Sequence, residues 1–293
     1  MQSCIIGPMK KILASLILFA SLLQGRAQEI HAFRNQVEEA YPFYLYTPEG
    51  YNTLPDSLKA RKPLVLFLHG GSLKGTNLTS SIRYGCIDAV RFGRNIDAII
   101  VNPQTAGWTK GAKGTWHPER LCRILDWTLE HFPYDTNRVY VLGMSMGGYG
   151  TLDFVNAHPE RVAAAMALCG GCSYKEFDGI AEVPTWIIHG SADEKVKVSQ
   201  SQRVYDWLVS HEKSKRVIFD ILVGYDHGAL ARYFYMPMTY KWLFSHSKTQ
   251  EGHPVNRKIP IEEPLQGKAY ANPDAAFKAR VKLIDPGIVP AKK

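Results

Sequence analysis

Short, unbroken apolar runs alternate with stretches of helical spacing along most of the chain. Leu64–Leu68 contains no polar residue and stops at His69-Gly70-Gly71. Similar runs lie at 98–101, 139–142, 162–168, 186–188 and 217–223, and 41–46 reads as an aromatic strand. Continuous apolarity, without in-out alternation, predicts strands buried on both faces, as in a parallel sheet. Between them, 119–131 places Leu121, Ile124, Leu125 and Leu129 at helical spacing. Residues 147–158 read as a helix closed by Pro159, and 199–211 as one carrying Val204, Leu208 and Val209. The alternation predicts an α/β architecture, a mostly parallel sheet with helices on both faces. No internal repeat is found.

The two ends depart from this pattern. Lys10 and Lys11 precede an apolar run over 12–23, followed by Gly25-Arg26-Ala27. A basic start, a short apolar core and small residues at the cleavage positions predict a secretory signal removed near Ala27, with Met9 as an alternative start. The run falls short of the roughly 20 apolar residues that span a bilayer. At the other end, 248–293 is rich in proline and charge, with Pro254, Pro260, Pro264, Pro273, Pro286 and Pro290 forbidding a long regular element. It is expected to be an extended tail, or else a strap packed through Ile259, Ile261, Tyr270 and Phe277. The expected organisation is thus a signal peptide over 1–27, a catalytic domain over 28–247 and a Pro-rich tail over 248–293.

Charge changes the picture little. The chain has 35 Lys and Arg against 27 Asp and Glu, a formal +8. Residues 1–27 carry +3 and 248–293 carry +4, leaving +1 on 28–247. A nucleic-acid partner, which calls for a basic face on the folded domain, is not expected. Cys86, Cys122, Cys169 and Cys172 remain after cleavage and read as buried thiols or one structural disulfide. Cys169-Gly-Gly-Cys172 lacks the context of a redox motif, and no metal-ligand spacing accompanies it. No cofactor or metal is expected.

The chemistry concentrates in Gly143-Met-Ser145-Met-Gly147, placed between a buried strand and a helix. A serine on so sharp a strand-to-helix turn exposes its hydroxyl above the sheet, and the helix N-terminus beside it favours a developing oxyanion. Ser145 is the candidate nucleophile. Its partners are expected in the order acid, then histidine. The run at 186–188 leads into His189-Gly-Ser-Ala-Asp193, and that at 217–223 into Gly224-Tyr-Asp-His227-Gly228. Asp193 is therefore the candidate acid and His227 the candidate base. Glu194 and Asp226 are rivals beside them, and His189 is expected to pack beneath the site. The oxyanion donors are expected to be the N–H of Met146 and that of Gly71, or of Ser72 next to it.

Taken together, His69-Gly-Gly, Gly143-Met-Ser-Met-Gly-Gly148, His189-Gly-Ser-Ala-Asp193 and Asp226-His-Gly228 resemble the α/β-hydrolase superfamily in order and spacing. Pro103-Gln104, Trp108 and Trp242-Leu-Phe-Ser245 narrow the likeness to the secreted phospholipase/carboxylesterase-like and feruloyl/acetylxylan esterase-like branch, related to polyhydroxybutyrate depolymerases. The resemblance covers about residues 40–247 and implies a serine carboxylesterase working through an acyl-enzyme.

Only about 15 residues separate the strand at 162–168 from the one at 186–188, too few for a cap domain, so an open cleft is expected. Trp108, Trp116 and His117, on a loop at the active edge, are the candidate substrate-binding residues, with a place in the core as the alternative for the aromatics. The expected substrate is a small or polysaccharide-linked ester, and the oligomeric state stays open. The competing readings are a prolyl-oligopeptidase-like serine peptidase and a non-catalytic carbohydrate-binding or scaffold protein.

Overall fold

A computed structural model describes residues 28–107, 116–258 and 269–286. Among them nine strands form one sheet: β1 (Gln28–Phe33), β2 (Phe43–Thr47), β3 (Leu64–Leu68), β4 (Ile99–Pro103), β5 (Val139–Met144), β6 (Ala164–Leu168), β7 (Thr185–Gly190), β8 (Val217–Leu222) and β9 (Val281–Ile284). Their order is β8-β7-β6-β5-β3-β4-β2-β1-β9. From β8 across to β4 every pairing is parallel, and β2 is antiparallel to both β1 and β4.

The predicted strands are present because their side chains serve two cores at once. Val65 and Phe67 join one buried cluster, whereas Leu64, Leu66 and Leu68 join the other. In β5, Tyr140 and Leu142 take the first side, Val139 and Val141 the second. Helices cover both faces: α1 (Asp56–Lys59), α2 (Cys86–Phe92), α3 (Pro118–His131), α4 (Met146–Ala157), α5 (Asp178–Ala181), α6 (Ser199–Ser210), α7 (Pro237–Phe244) and α8 (Ala275–Ala279). Pro118 opens α3 at its first position, where a missing N–H costs nothing. The apolar positions predicted for that helix bury Leu121, Ile124 and Leu125, with Leu129 at its exposed border.

β8 differs from its prediction at its outer end. It stops at Leu222, and Val223 is 86% exposed. An edge strand has a neighbour on one side only, so its apolar run outlasts its burial.

The tail departs further from an extended segment. Phe277 of α8 is buried, Asp274 caps that helix by accepting the Phe277 N–H at 2.8 Å, and β9 pairs in parallel with β1. Arg94 donates to the carbonyls of Ala269 and Ala271 at 2.7 and 2.6 Å, and Arg34 holds Asp285 through two bonds. Tyr270 remains half exposed, against Phe92 and Tyr235. Ile259 and Ile261 lie outside the described residues, as does the predicted signal segment.

This architecture brings four strand ends to one edge. β3 runs into His69, β5 into Ser145, β7 into Asp193 and β8 into His227, all at carboxyl ends of parallel strands, where open α/β sheets place their ligand sites. Residues 169–184 carry only α5 as a helix, so no cap domain stands over that edge between β6 and β7. Among the described residues no helix is long and apolar enough to cross a membrane.

Candidate active site

Ser145 sits between β5 and α4 at φ 59°, ψ −121°. That left-handed conformation is costly for a residue with a side chain and persists only where the surroundings enforce it. Here they do: the Ser145 N–H donates to the Leu168 carbonyl at 2.8 Å, tying the turn to β6. The flanking glycines are required by close backbone passage. A Cβ on Gly147 would lie 1.8 Å from the Leu68 carbonyl oxygen, and one on Gly143 would lie 2.4 Å from that of Gly147. Neither neighbour is a side chain that can swing away. Gly147→Ala is therefore expected to destabilise the fold by about 3 kcal/mol or more, read as a drop in the urea midpoint, whereas Gly71→Ala, with no atom within 4 Å, should leave it unchanged.

Asp193 and His227 are brought together. His227 Nδ1 lies 2.6 Å from Asp193 Oδ2. The other carboxylate oxygen accepts the N–H groups of Lys195 and Val196 at 2.8 and 2.9 Å. Burial works to raise the Asp193 pKa, but the Val196 N–H, then His227 and Lys195, outweigh it and hold the carboxyl below its usual range. An ionised Asp193 favours the His227 tautomer with a proton on Nδ1, which leaves Nε2 as a hydrogen-bond acceptor. Asp226, the sequence rival, is committed elsewhere: its Oδ1 accepts the Ala229 N–H at 2.8 Å. Glu194 is exposed. His189 is fully buried beneath the pair, with Nε2 3.3 Å from Asp193 Oδ2.

The loop after β3 is held against the elbow. A Cβ on Gly70 would come within 3.5 Å of the Ser145 Cβ. The Gly70 N–H is spent on the Tyr84 hydroxyl at 2.9 Å. Gly71 and Ser72 open a single 3₁₀ turn, Gly71–Leu73, which leaves their N–H groups unused within it. Met146 likewise begins α4. Tyr84 is a site residue the sequence reading passed over, because it belongs to no motif and sits on an irregular segment before α2.

His69 anchors the same loop from below. It is fully buried, with Nδ1 2.8 Å from the Gly70 carbonyl and Nε2 accepting the Thr105 N–H at 3.3 Å. Burial pushes its pKa down to about 4, so the ring is neutral. Above pH 6.5 it is neutral in folded and unfolded chains alike. As pH falls through 6.5 the unfolded chain binds a proton that the folded one refuses until about pH 4. Stability should therefore drop by about 3 kcal/mol over that interval through this ring, and His69→Gln should remove that share of the pH dependence from urea midpoints.

The candidate substrate-binding residues are not gathered into one place. Trp116 is 1% exposed, edge-on to Tyr41 and His69 and pressed against Gly150, so the core reading holds for it in place of a stacking platform. It backs a cavity of about 640 Å³ bordered by Asp153, Asn156 and Tyr174. His117 is the N-cap residue before α3, its N–H donating to the Tyr41 hydroxyl, and lines a separate cavity of about 270 Å³ with Gln104 and Gly75. Trp108 lies outside the described residues. All four described cysteines are free and buried, so Cys169 and Cys172 form no disulfide. Cys169 has a further place: its Sγ, an Asp193 carboxylate oxygen and a His227 ring nitrogen lie within 4.8 Å of one another. Burial raises its pKa strongly, which keeps it a thiol.

No known family model matches the chain. A solved thermostable esterase superposes with a TM-score of 0.60 at 25% identity, covering 74% of this chain and 63% of that one. The chain has the α/β-hydrolase fold. Over 149 residues the chain is 26% identical to a bifunctional acetylxylan esterase/xylanase of Neocallimastix patriciarum, covering 50% of this chain and 21% of that protein. Over 135 residues it is 27% identical to acylamino-acid-releasing enzyme 2 of Oryza sativa subsp. japonica, covering 43% and 17%. The chain thus spans about a fifth of the length of these two curated relatives.

Proposed function

We propose that the protein is an exported serine carboxylic ester hydrolase acting through an acyl-enzyme on Ser145. The observation that carries this reading is the 2.6 Å bond between Asp193 and His227 at the sheet edge that also bears the strained Ser145 turn. His227 removes the Ser145 proton as the hydroxyl attacks the ester carbonyl, and Asp193 stabilises the resulting imidazolium. The N–H groups of Met146 and of Gly71 or Ser72 receive the oxyanion. The imidazolium then protonates the leaving alcohol, and water activated by the same ring releases the acid. The likeness to acetylxylan esterase and the absence of a cap between β6 and β7 favour acyl groups carried on plant polysaccharide, or small esters.

A serine peptidase of prolyl-oligopeptidase type is the second reading, favoured by the likeness to the rice acylamino-acid-releasing enzyme. One panel separates the two. The mature protein is assayed on nitrophenyl acetate, acetylated xylan, methyl ferulate and acylaminoacyl and prolyl nitroanilides. Ester turnover is expected; anilide cleavage without ester turnover would install the peptidase.

A further inference from the structure

We infer that the protein has a zinc-type metal site remote from Ser145, built from Glu119, Cys122 and His158. A carboxylate oxygen, a thiol sulfur and a ring nitrogen of these three lie within 4.8 Å of one another. Glu119 and Cys122 stand three residues apart on α3 and so share a face. His158 caps the far end of α4, the twelve-residue helix that begins beside Ser145, which puts the cluster roughly 18 Å along that axis from the nucleophile.

The histidine is presented as a metal-binding imidazole is. Its Nε2 faces Glu119 Oε1 at 3.1 Å, and its Nδ1 lies 3.6 Å from Glu160 Oε1. Glu160 thus stands behind the ring at ion-pair distance, on the side where a carboxylate commonly supports a metal-bound histidine. Charge points the same way. Two carboxylates, Glu119 and Glu160, stand beside the histidine, and Arg161 is held by Asp126 at 2.6 Å. Exposure grades outward from Cys122 at 7% to the Glu119 side chain at 75%, leaving an open side for a water as fourth ligand.

The donor set selects the ion. A thiolate with an imidazole and one carboxylate suits zinc or cobalt and not magnesium or calcium, which take oxygen ligands. Binding forms the metal–sulfur bond in exchange for the thiol S–H, whose proton goes to solvent, with no change of oxidation state. The site pins the first turn of α3 to the end of α4. It escapes sequence inspection because Glu119-x-x-Cys122 and His158 do not form a compact metal-ligand spacing.

The test uses the mature chain, stripped with a chelator and titrated with Co(II). One equivalent should bind with a near-ultraviolet thiolate-to-cobalt charge-transfer band, be displaced by Zn(II) and raise Tm. Cys122→Ser should abolish the band, Cys169→Ala should keep it, and His158→Gln, at a half-buried surface position, should weaken binding at least tenfold. Absence of the band in the parent overturns the site, and so does its survival in Cys122→Ser. Loss in Cys169→Ala alone also overturns it, by placing the ion with Asp193 and His227.

Discussion

Ser145→Ala is expected to lower kcat on any accepted ester by roughly 10⁴–10⁶-fold, with KM and the unfolding midpoint nearly unchanged. The size follows from the chemistry. Without the hydroxyl no acyl-enzyme forms, and what remains is water attack assisted by the oxyanion donors and by binding. The small structural effect follows from the turn. Ser145 is already held at φ 59° by the backbone bond to Leu168, which alanine retains. His227→Ala should cost a comparable factor, and the double variant little more than either alone, since nucleophile and base act as a unit. Stopped-flow and steady-state assays on the three variants, with circular dichroism as a fold control, measure this. Additive losses would mean that the two side chains work independently.

Asp193→Ala and Asp226→Ala should differ by orders of magnitude although both acids lie close to His227. Asp193 is the residue bonded to Nδ1, and its removal leaves the ring free to turn and take the wrong tautomer, a loss of roughly 10⁴-fold in kcat. Asp226 supports the backbone after the histidine by accepting the Ala229 N–H. Losing that local cap should cost about 1 kcal/mol of stability and less than about tenfold in rate. A larger rate loss for Asp226→Ala than for Asp193→Ala would reassign the acid.

The fold was legible wherever a strand is buried on both faces, because such a strand has no polar positions to blur its run. β3 and β5 are examples, each feeding two cores. β1 and β9 were not legible. Gln28–Phe33 mixes polar and apolar residues, and β9 carries lysine and three half-exposed or exposed neighbours, so both depend on pairing partners far away in the chain. The tail's attachment rests on Arg34, Arg94 and Asp285, long-range pairs that no local pattern announces.

At the site, the elbow turn and the strand ends that bring Asp193 to His227 were readable, since glycine spacing and strand ends are local signals. What the chain pattern did not disclose is the support: Tyr84 on the Gly70 N–H, His69 bridging two loops, and Cys169 under the His227–Asp193 pair. Trp116 misleads for a related reason. A tryptophan on a loop at the active edge looks free in sequence, but glycine at 150 on α4 leaves a recess that its ring fills.

The central claim is that His227, held by Asp193, activates Ser145. Labelling with a fluorophosphonate and mapping the adduct by peptide mass spectrometry tests it most directly. One adduct per chain on Ser145, slowed by orders of magnitude in His227→Ala, is the predicted result. An unlabelled folded protein, or an adduct on another residue, would contradict it.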